Sequence, residues 1–222
     1  MFSKETINKL FYFTCIISCL VSIFLTSRFS YTWITDPDSA NSPIMWKEFL
    51  AHGFNAFNNW KPTFDNWYFT VYPINFLLFF IFNENGFVPL MLSSAIFIIA
   101  ICLCSSKIAD ILSGKTAAFA ALISITLISP DLYSNYYSHP FSHNSTNAFG
   151  FVVLAIYIIP LSSKKIIPAA SIFILLVLSG ASDPWILPSF TLPILISEVY
   201  NSFINRKSYK YFIFLLLAFL TS

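Results

Sequence analysis

SRFSYTWITDPDSANSPIMWKEFLAHGFNAFNNWKPTFDNWYFTVYPINFLLFFIFNENG, from Ser27 to Gly86, is the one long stretch of this chain that is neither continuously apolar nor a short turn. It holds Asp36, Asp38, Glu48, Asp65 and Glu84, and four of the five tryptophans: Trp33, Trp46, Trp60 and Trp67. An apolar run precedes it, and the remainder of the chain, from Phe87 onward, reads as apolar helices joined by short connections. The fold therefore depends on whether those runs cross a bilayer and on which side this stretch is left.

Composition answers the first question. The chain is 57% hydrophobic and 10% charged, with a mean hydropathy of +0.72, whereas charged residues make up about a quarter of a soluble domain. This is the composition of an integral membrane protein. The formal net charge of +2 gives no sign of a nucleic-acid partner. Cys15, Cys19, Cys102 and Cys104 all fall within apolar runs, so no disulfide framework is implied. Residues 10–27 form an apolar run too long for a signal-peptide core and lack a small-residue cleavage site.

A bilayer crossing takes about 20 apolar residues in a helix. Seven stretches are candidates: 10–27, 87–106, 116–130, 147–162, 166–181, 185–200 and one beginning at 209. The reading is thus an all-α polytopic membrane protein of about seven transmembrane helices, a single domain over residues 1–222. Residues 28–86 form its long first outer loop. The apolar piece from Tyr72 to Phe82 has about half the needed length and is stopped by Asn83-Glu84-Asn85-Gly86. It reads as a helix that dips into the outer leaflet and returns.

Charge placement selects the topology. With the N-terminus inside and residues 72–82 not crossing, Lys4, Lys9, Lys107, Lys115, Lys164, Lys165, Arg206, Lys207 and Lys210 fall on the cytoplasmic side. These are nine of the twelve basic residues, as the positive-inside rule requires. Asp36, Asp38, Glu48, Asp65, Glu84, Asp131 and Asp183 then collect outside, seven of the ten acids. From Tyr211 to Leu220 only ten apolar residues precede Thr221-Ser222, so the last span is expected to be incomplete, as in the first part of a longer protein.

Within the outer loop, Ser42-Pro43 reads as a helix start, with Ser42 as N-cap and Pro43 at the first helical position. Ile44, Met45, Trp46, Phe49 and Leu50 share one face, Lys47, Glu48 and His52 the other, and Gly53 ends the helix. This is the pattern of an amphipathic helix in the interface plane.

Several groups could carry chemistry. Asp36-Pro37-Asp38 follows the first span at headgroup level, where a carboxylate suits a general base, although Asp-Pro-Asp is also ordinary turn chemistry. Asp65, Trp67 and Tyr68 combine a carboxylate with aromatic faces, a mixture suited to sugar rings and equally found in interfacial aromatic belts. His139 and His143 lie four apart with Pro140 between them. Hydrogen bonding to a sugar or phosphate is the favoured role for both. Binding a divalent metal together with Asp36 or Asp38 is the lesser alternative, and no metal ligand set is assigned. Asn144 opens an Asn-Ser-Thr glycosylation pattern. Asp183-Pro184-Trp185 reads as a cap for the following helix and as a second place to meet a substrate headgroup.

The order of these parts is a short basic N-terminus, one span, Pro37-Asp38, an outer helix ending at Gly53, an aromatic loop, a half-membrane helix and paired spans with basic inner loops. It resembles the N-terminal half of the GT-C membrane glycosyltransferases, which use polyprenyl-phosphate-linked sugars. Bacterial members modify lipid A with aminoarabinose or glucosylate the O-antigen of lipopolysaccharide. The resemblance implies a multi-pass protein of the bacterial inner membrane with its site on the periplasmic face. Asp38, or its close rival Asp36, would be the catalytic base. Asp65, Trp67, Tyr68, His139, His143, Asn144 and Asp183 would contact the substrates. It implies as partners a polyprenyl-phosphate sugar donor, a glycan or lipid acceptor and the bilayer itself, with no nucleic acid. Two other readings stay open: a flippase or transporter of lipid-linked glycans, and an inactive remnant. A transporter is expected to carry ionisable residues inside its spans, and here the acids gather on one side.

Overall fold

The computed structural model describes residues 3–33, 36–61, 66–139, 141, 143–159, 166–205 and 216–218. Among them every regular element is helical. The first long helix, α1, spans Lys4–Phe29, capped by Ser3, whose hydroxyl accepts the Thr6 amide. A helical turn at Pro37–Ala40 leads into α2, Asn41–His52. The half-length helix α3 spans Tyr72–Phe82 and the long α4 spans Phe87–Ser113. Beyond Gly114 come α5, Lys115–Thr126, then α6, Asn144–Ile158, α7, Ile166–Ser182, and α8, Leu192–Asn205. The centre is α4, against which α1, α3, α5 and α6 all pack; α7 packs against α6.

Small hydroxyl residues are buried alongside an apolar core that includes Phe79, Phe97, Ile98 and Leu122. Ser18, Ser22 and Thr26, four apart on α1, are buried, and so are Ser93, Ser94, Ser105 and Ser106 on α4. Many other large apolar residues lie outward: Phe13 is 60% exposed, Phe24 67% and Phe80 75%. Small residues let helices approach closely where lipid removes the hydrophobic drive between them, and the apolar remainder faces the chains. Thr26 and Ser30 remain tolerable inside because a hydroxyl can bond back to the carbonyl four residues earlier, as Thr26 does to Ser22 at 2.7 Å and Ser30 to Thr26 at 2.6 Å.

Two continuous helical stretches, Lys4–Trp33 and Phe87–Ser113, are long and apolar enough to cross a membrane. A third arises only if Lys115–Thr126 and Pro130–Tyr137, bent by 66°, count as one span. The described residues therefore give two or three candidate spans, where hydropathy alone suggests seven. The physical reason is helix length. At 1.5 Å per residue, α6 and α7 reach roughly 23–26 Å, short of a hydrocarbon core of about 30 Å. The 116–130 run is broken after Leu127 because Pro130 starts a new turn, with Ser129 accepting the Leu132 amide. The 185–200 run is helical through a π-helical turn at Leu187–Thr191 into α8, and it is not among the candidate spans. Most of the stretch beginning at 209 lies outside the described residues.

The half-length helix forms where expected. Asn83 takes the left-handed conformation at φ 51° and reverses the chain. The second helix ends at Gly53, with φ 58°, in a region that a Cβ disfavours. Its start differs from expectation. Ala40 occupies the N-cap position without a side-chain bond, and Ser42 lies inside the helix. The Ser42 hydroxyl is fully buried and accepts the Asn75 amide at 2.7 Å. A cross-helix partner has taken the oxygen that a cap would have used. The Tyr72 hydroxyl donates to Asn41 beside it. On the apolar face of α2, Met45 is buried and Trp46 packs its ring 5.0 Å from Phe76, while Ile44 and Leu50 are exposed.

Candidate functional site

Three segments remote in sequence meet at one end of the helices. The first is the acidic corner at Asp36–Asp38. The Asp36 Oδ1 oxygen accepts the Asp38 amide at 2.9 Å, an Asx turn that opens the helical turn at Pro37. Its other oxygen, Oδ2, lies 3.0 Å from His139 Nε2. The Phe141 amide donates to His139 Nδ1 at 3.1 Å, so Nε2 is the nitrogen that carries the proton and donates to Asp36. The Asp38 amide and then the His139 ring hold the Asp36 carboxyl below its ordinary value of 3.8. Asp38 itself is exposed. The corner thus divides into one carboxylate engaged at both oxygens and one open to solution.

The second meeting is around Asp183, which is 1% exposed. Its Oδ2 accepts from His143 Nδ1 at 2.7 Å and from the Thr146 hydroxyl, and its Oδ1 accepts the Trp185 amide at 3.0 Å. A buried carboxylate is tolerable only when it is fully hydrogen-bonded in this way. Half of the cap expected of Asp183 is therefore present, at Oδ1, while Oδ2 is turned to the His143 side. With Nδ1 engaged, the ring of His143 presents Nε2 on its opposite edge, and the residue is 43% exposed at its side chain. The Trp185 ring stacks on it at 5.4 Å and 29°.

The third is the turn beginning at Asn66. Its side-chain amide donates to the Ala181 carbonyl at 2.7 Å, its backbone amide to Ser182, and the Phe69 amide to the Ser182 hydroxyl at 2.7 Å. These bonds seat Trp67 between the other two segments, 6.1 Å from both Phe141 and His143 by ring centroids. Trp67 is 5% exposed and has φ 61°. A bulky residue there costs of order 1–3 kcal/mol, a strain that clusters at functional sites. Tyr68 packs edge-on against Phe57 at 5.5 Å, and burial pushes its hydroxyl above the usual value.

Beside the second of these segments, between the 128–137 stretch, the start of α6 and Trp185, opens a cleft of about 530 Å³. Ile128 and Leu132 form its apolar wall; Tyr136, Tyr137, His143, Asn144, Asn147 and Trp185 supply aromatic and polar surface. A π-helical turn flanks each side, at Tyr133–Tyr137 and at Leu187–Thr191. Such turns are rare and are frequent at functional sites. The first is closed by the Ser138 amide on the Tyr133 carbonyl at 2.9 Å.

Of the sequence-derived candidates, the structure joins Asp36 to His139 and joins His143 to Asp183, with Asn144 and Trp67 adjoining the second pair. Asp38 sits beside Asp36 and carries no cleft surface, Tyr68 belongs to the aromatic packing around Tyr72, and Asp65 lies outside the described residues. Tyr136, Tyr137, Thr146 and Asn147 were not singled out by sequence as site residues, and Trp185 entered only as part of the Asp183-Pro184-Trp185 turn. The Pro184-Trp185 pair was the available signal, since an aromatic after a helix-breaking turn is placed at an element end. No group of three or more His, Cys, Asp or Glu able to hold a metal ion occurs among the described residues. Comparison with protein-family models, with curated proteins and with solved structures finds no match to this chain.

Proposed function

We propose that this chain is a membrane glycosyltransferase that moves a sugar from a polyprenyl-phosphate carrier to a cell-envelope glycan or lipid acceptor, working at the membrane face away from the cytoplasm. The observation that carries the reading is the division of labour at the acidic corner. Asp36 is engaged at both oxygens by the Asp38 amide and His139, while the Asp38 carboxyl is exposed. A carboxylate fixed in that way serves as an anchor, and its open neighbour is the one able to take a proton.

In the reaction the acceptor hydroxyl gives its proton to the Asp38 carboxylate as its oxygen bonds to the anomeric carbon. The bond from that carbon to the phosphate oxygen breaks on the opposite side, and the lipid phosphate leaves with the electron pair. The product is inverted at the anomeric centre. The phosphate is already a good leaving group, so one base suffices.

The test is transfer of a labelled sugar in membranes containing the protein, a polyprenyl-phosphate donor and a lipid-linked acceptor. Loss of a positioned base costs about 10²–10⁴ in rate, so Asp38→Asn is expected to abolish detectable transfer at unchanged membrane abundance. Full activity in both Asp38→Asn and Asp36→Asn overturns the assignment. Movement of the labelled lipid between leaflets without any acceptor would instead support a flippase.

A further inference from the structure

We propose that the cleft beside Trp185 is a binding site for an uncharged sugar ring and that it discriminates against anionic sugars. The inference rests on the glycosyltransferase reading and narrows its substrate class. The first observation is the platform. Trp185 is 51% exposed and lines the cleft, and the His143 ring supports it at 5.4 Å. A tryptophan braced by a second ring offers a fixed π-face to the C–H surface of a pyranose and loses little freedom on binding.

The second observation is the lining chemistry. Asn144, Asn147, Tyr136 and Tyr137 provide amides and hydroxyls, and the described residues lining the cleft include no Lys, Arg, Asp or Glu. Uncharged donors and acceptors of this kind match hydroxyl groups. A carboxylate or phosphate would lose its hydration with no Lys or Arg to offset the loss, and the His143 ring is already engaged by the Asp183 carboxylate.

The third observation is the carboxylate behind the cleft. Asp183, 1% exposed, bonds His143 Nδ1 at 2.7 Å. The group behind the cleft wall is thus an acid, and no Lys or Arg stands in the lining before it. A carboxylate in that position disfavours an incoming anion through a poorly screened interior. The cleft volume of about 530 Å³ lies inside the range of about 300–1,000 Å³ typical of small-molecule sites.

The experiment uses the full chain in lipid nanodiscs, which avoids sugar-headed detergents. Tryptophan fluorescence is titrated with methyl glucoside, methyl mannoside, N-acetylglucosamine and glucuronate at constant ionic strength. At least one neutral sugar is expected to give a saturable change, with glucuronate weaker by about tenfold or more. Trp185→Leu, at an exposed position, is expected to remove the response with an unchanged elution profile on size exclusion. Asp183→Asn is expected to narrow the gap between neutral and anionic sugars; if that variant does not fold, the wild-type comparison decides alone. Absence of saturation by every neutral sugar overturns the proposal, as does glucuronate binding equal to theirs or an unchanged response in Trp185→Leu. The titration needs neither donor nor acceptor lipid. Binding without transfer would uphold the cleft and overturn the transferase, and transfer without binding the reverse.

Discussion

His139 Nε2 stands 3.0 Å from Asp36 Oδ2, a hydrogen bond that joins positions 103 residues apart. It links the acidic corner after α1 to the segment before α6. Through Phe141 and Trp67 it runs on to His143 and Asp183. The two sets of titratable groups thus belong to one continuous structure.

That pairing has a pH signature. The Asp36 carboxyl is held below 3.8 first by the Asp38 amide and then by His139. The folded state thus favours the ionised form, and the stabilisation is complete above the unfolded value of 3.8. It is lost as pH falls through the lower folded value. Thermal unfolding followed from about pH 5 to about pH 3 should show a steeper loss for the wild type than for Asp36→Asn. The side chain is 40% exposed, so the difference should be small.

Around Asp183 the variants should rank by how many donors they orphan. Asp183→Ala leaves His143, Thr146 and the Trp185 amide without their acceptor. Thr146→Val removes one bond and should cost about 1 kcal/mol, whereas the alanine variant should exceed about 3 kcal/mol. Asp183→Asn keeps an oxygen for one side and should fall between. Melting temperatures of the purified proteins test the order.

The link between α2 and α3 predicts coupling. Asn75 donates to the Ser42 hydroxyl at 2.7 Å, both residues being fully buried. Ser42→Ala should destabilise by about 1–2 kcal/mol, since it leaves a buried amide without its acceptor. In a double-mutant cycle with Asn75→Ala the two changes should be less than additive. Additive values would mean that the bond does not hold the two helices together.

Close approach at Gly150 is a steric prediction. A Cβ built there would lie 2.3 Å from the Phe190 ring. Gly150→Ala should therefore destabilise by about 1–3 kcal/mol through overpacking. The double variant Gly150→Ala/Phe190→Ala should lose less than the sum of the two singles, measured by thermal unfolding in the same lipid or detergent.

Much of the fold was legible because its causes are local. The apolar composition required helices, Gly53 and Asn83 ended them where left-handed backbone was needed, and the half-length of Tyr72–Phe82 was countable. The number of spans was not legible. Hydropathy sums apolar residues without registering that the helix ends near Leu127 and restarts at Pro130, or that α6 ends at Ile158. Ser42 shows the same limit at one residue: a sound capping signal yielded to Asn75, a partner 33 positions away.

The site divides in the same manner. By itself the sequence determined that acids, histidines and tryptophans concentrate in a few connecting segments, since such residues are costly within apolar helices. Only the tertiary structure decided that Asp36 meets His139, that His143 meets Asp183, and that Trp185 stands over a cleft. Periodicity specifies which face of a helix is buried but not which distant segment will cover it. That choice follows from packing and from the need to hydrogen-bond a buried carboxylate, and both act between residues far apart in the chain.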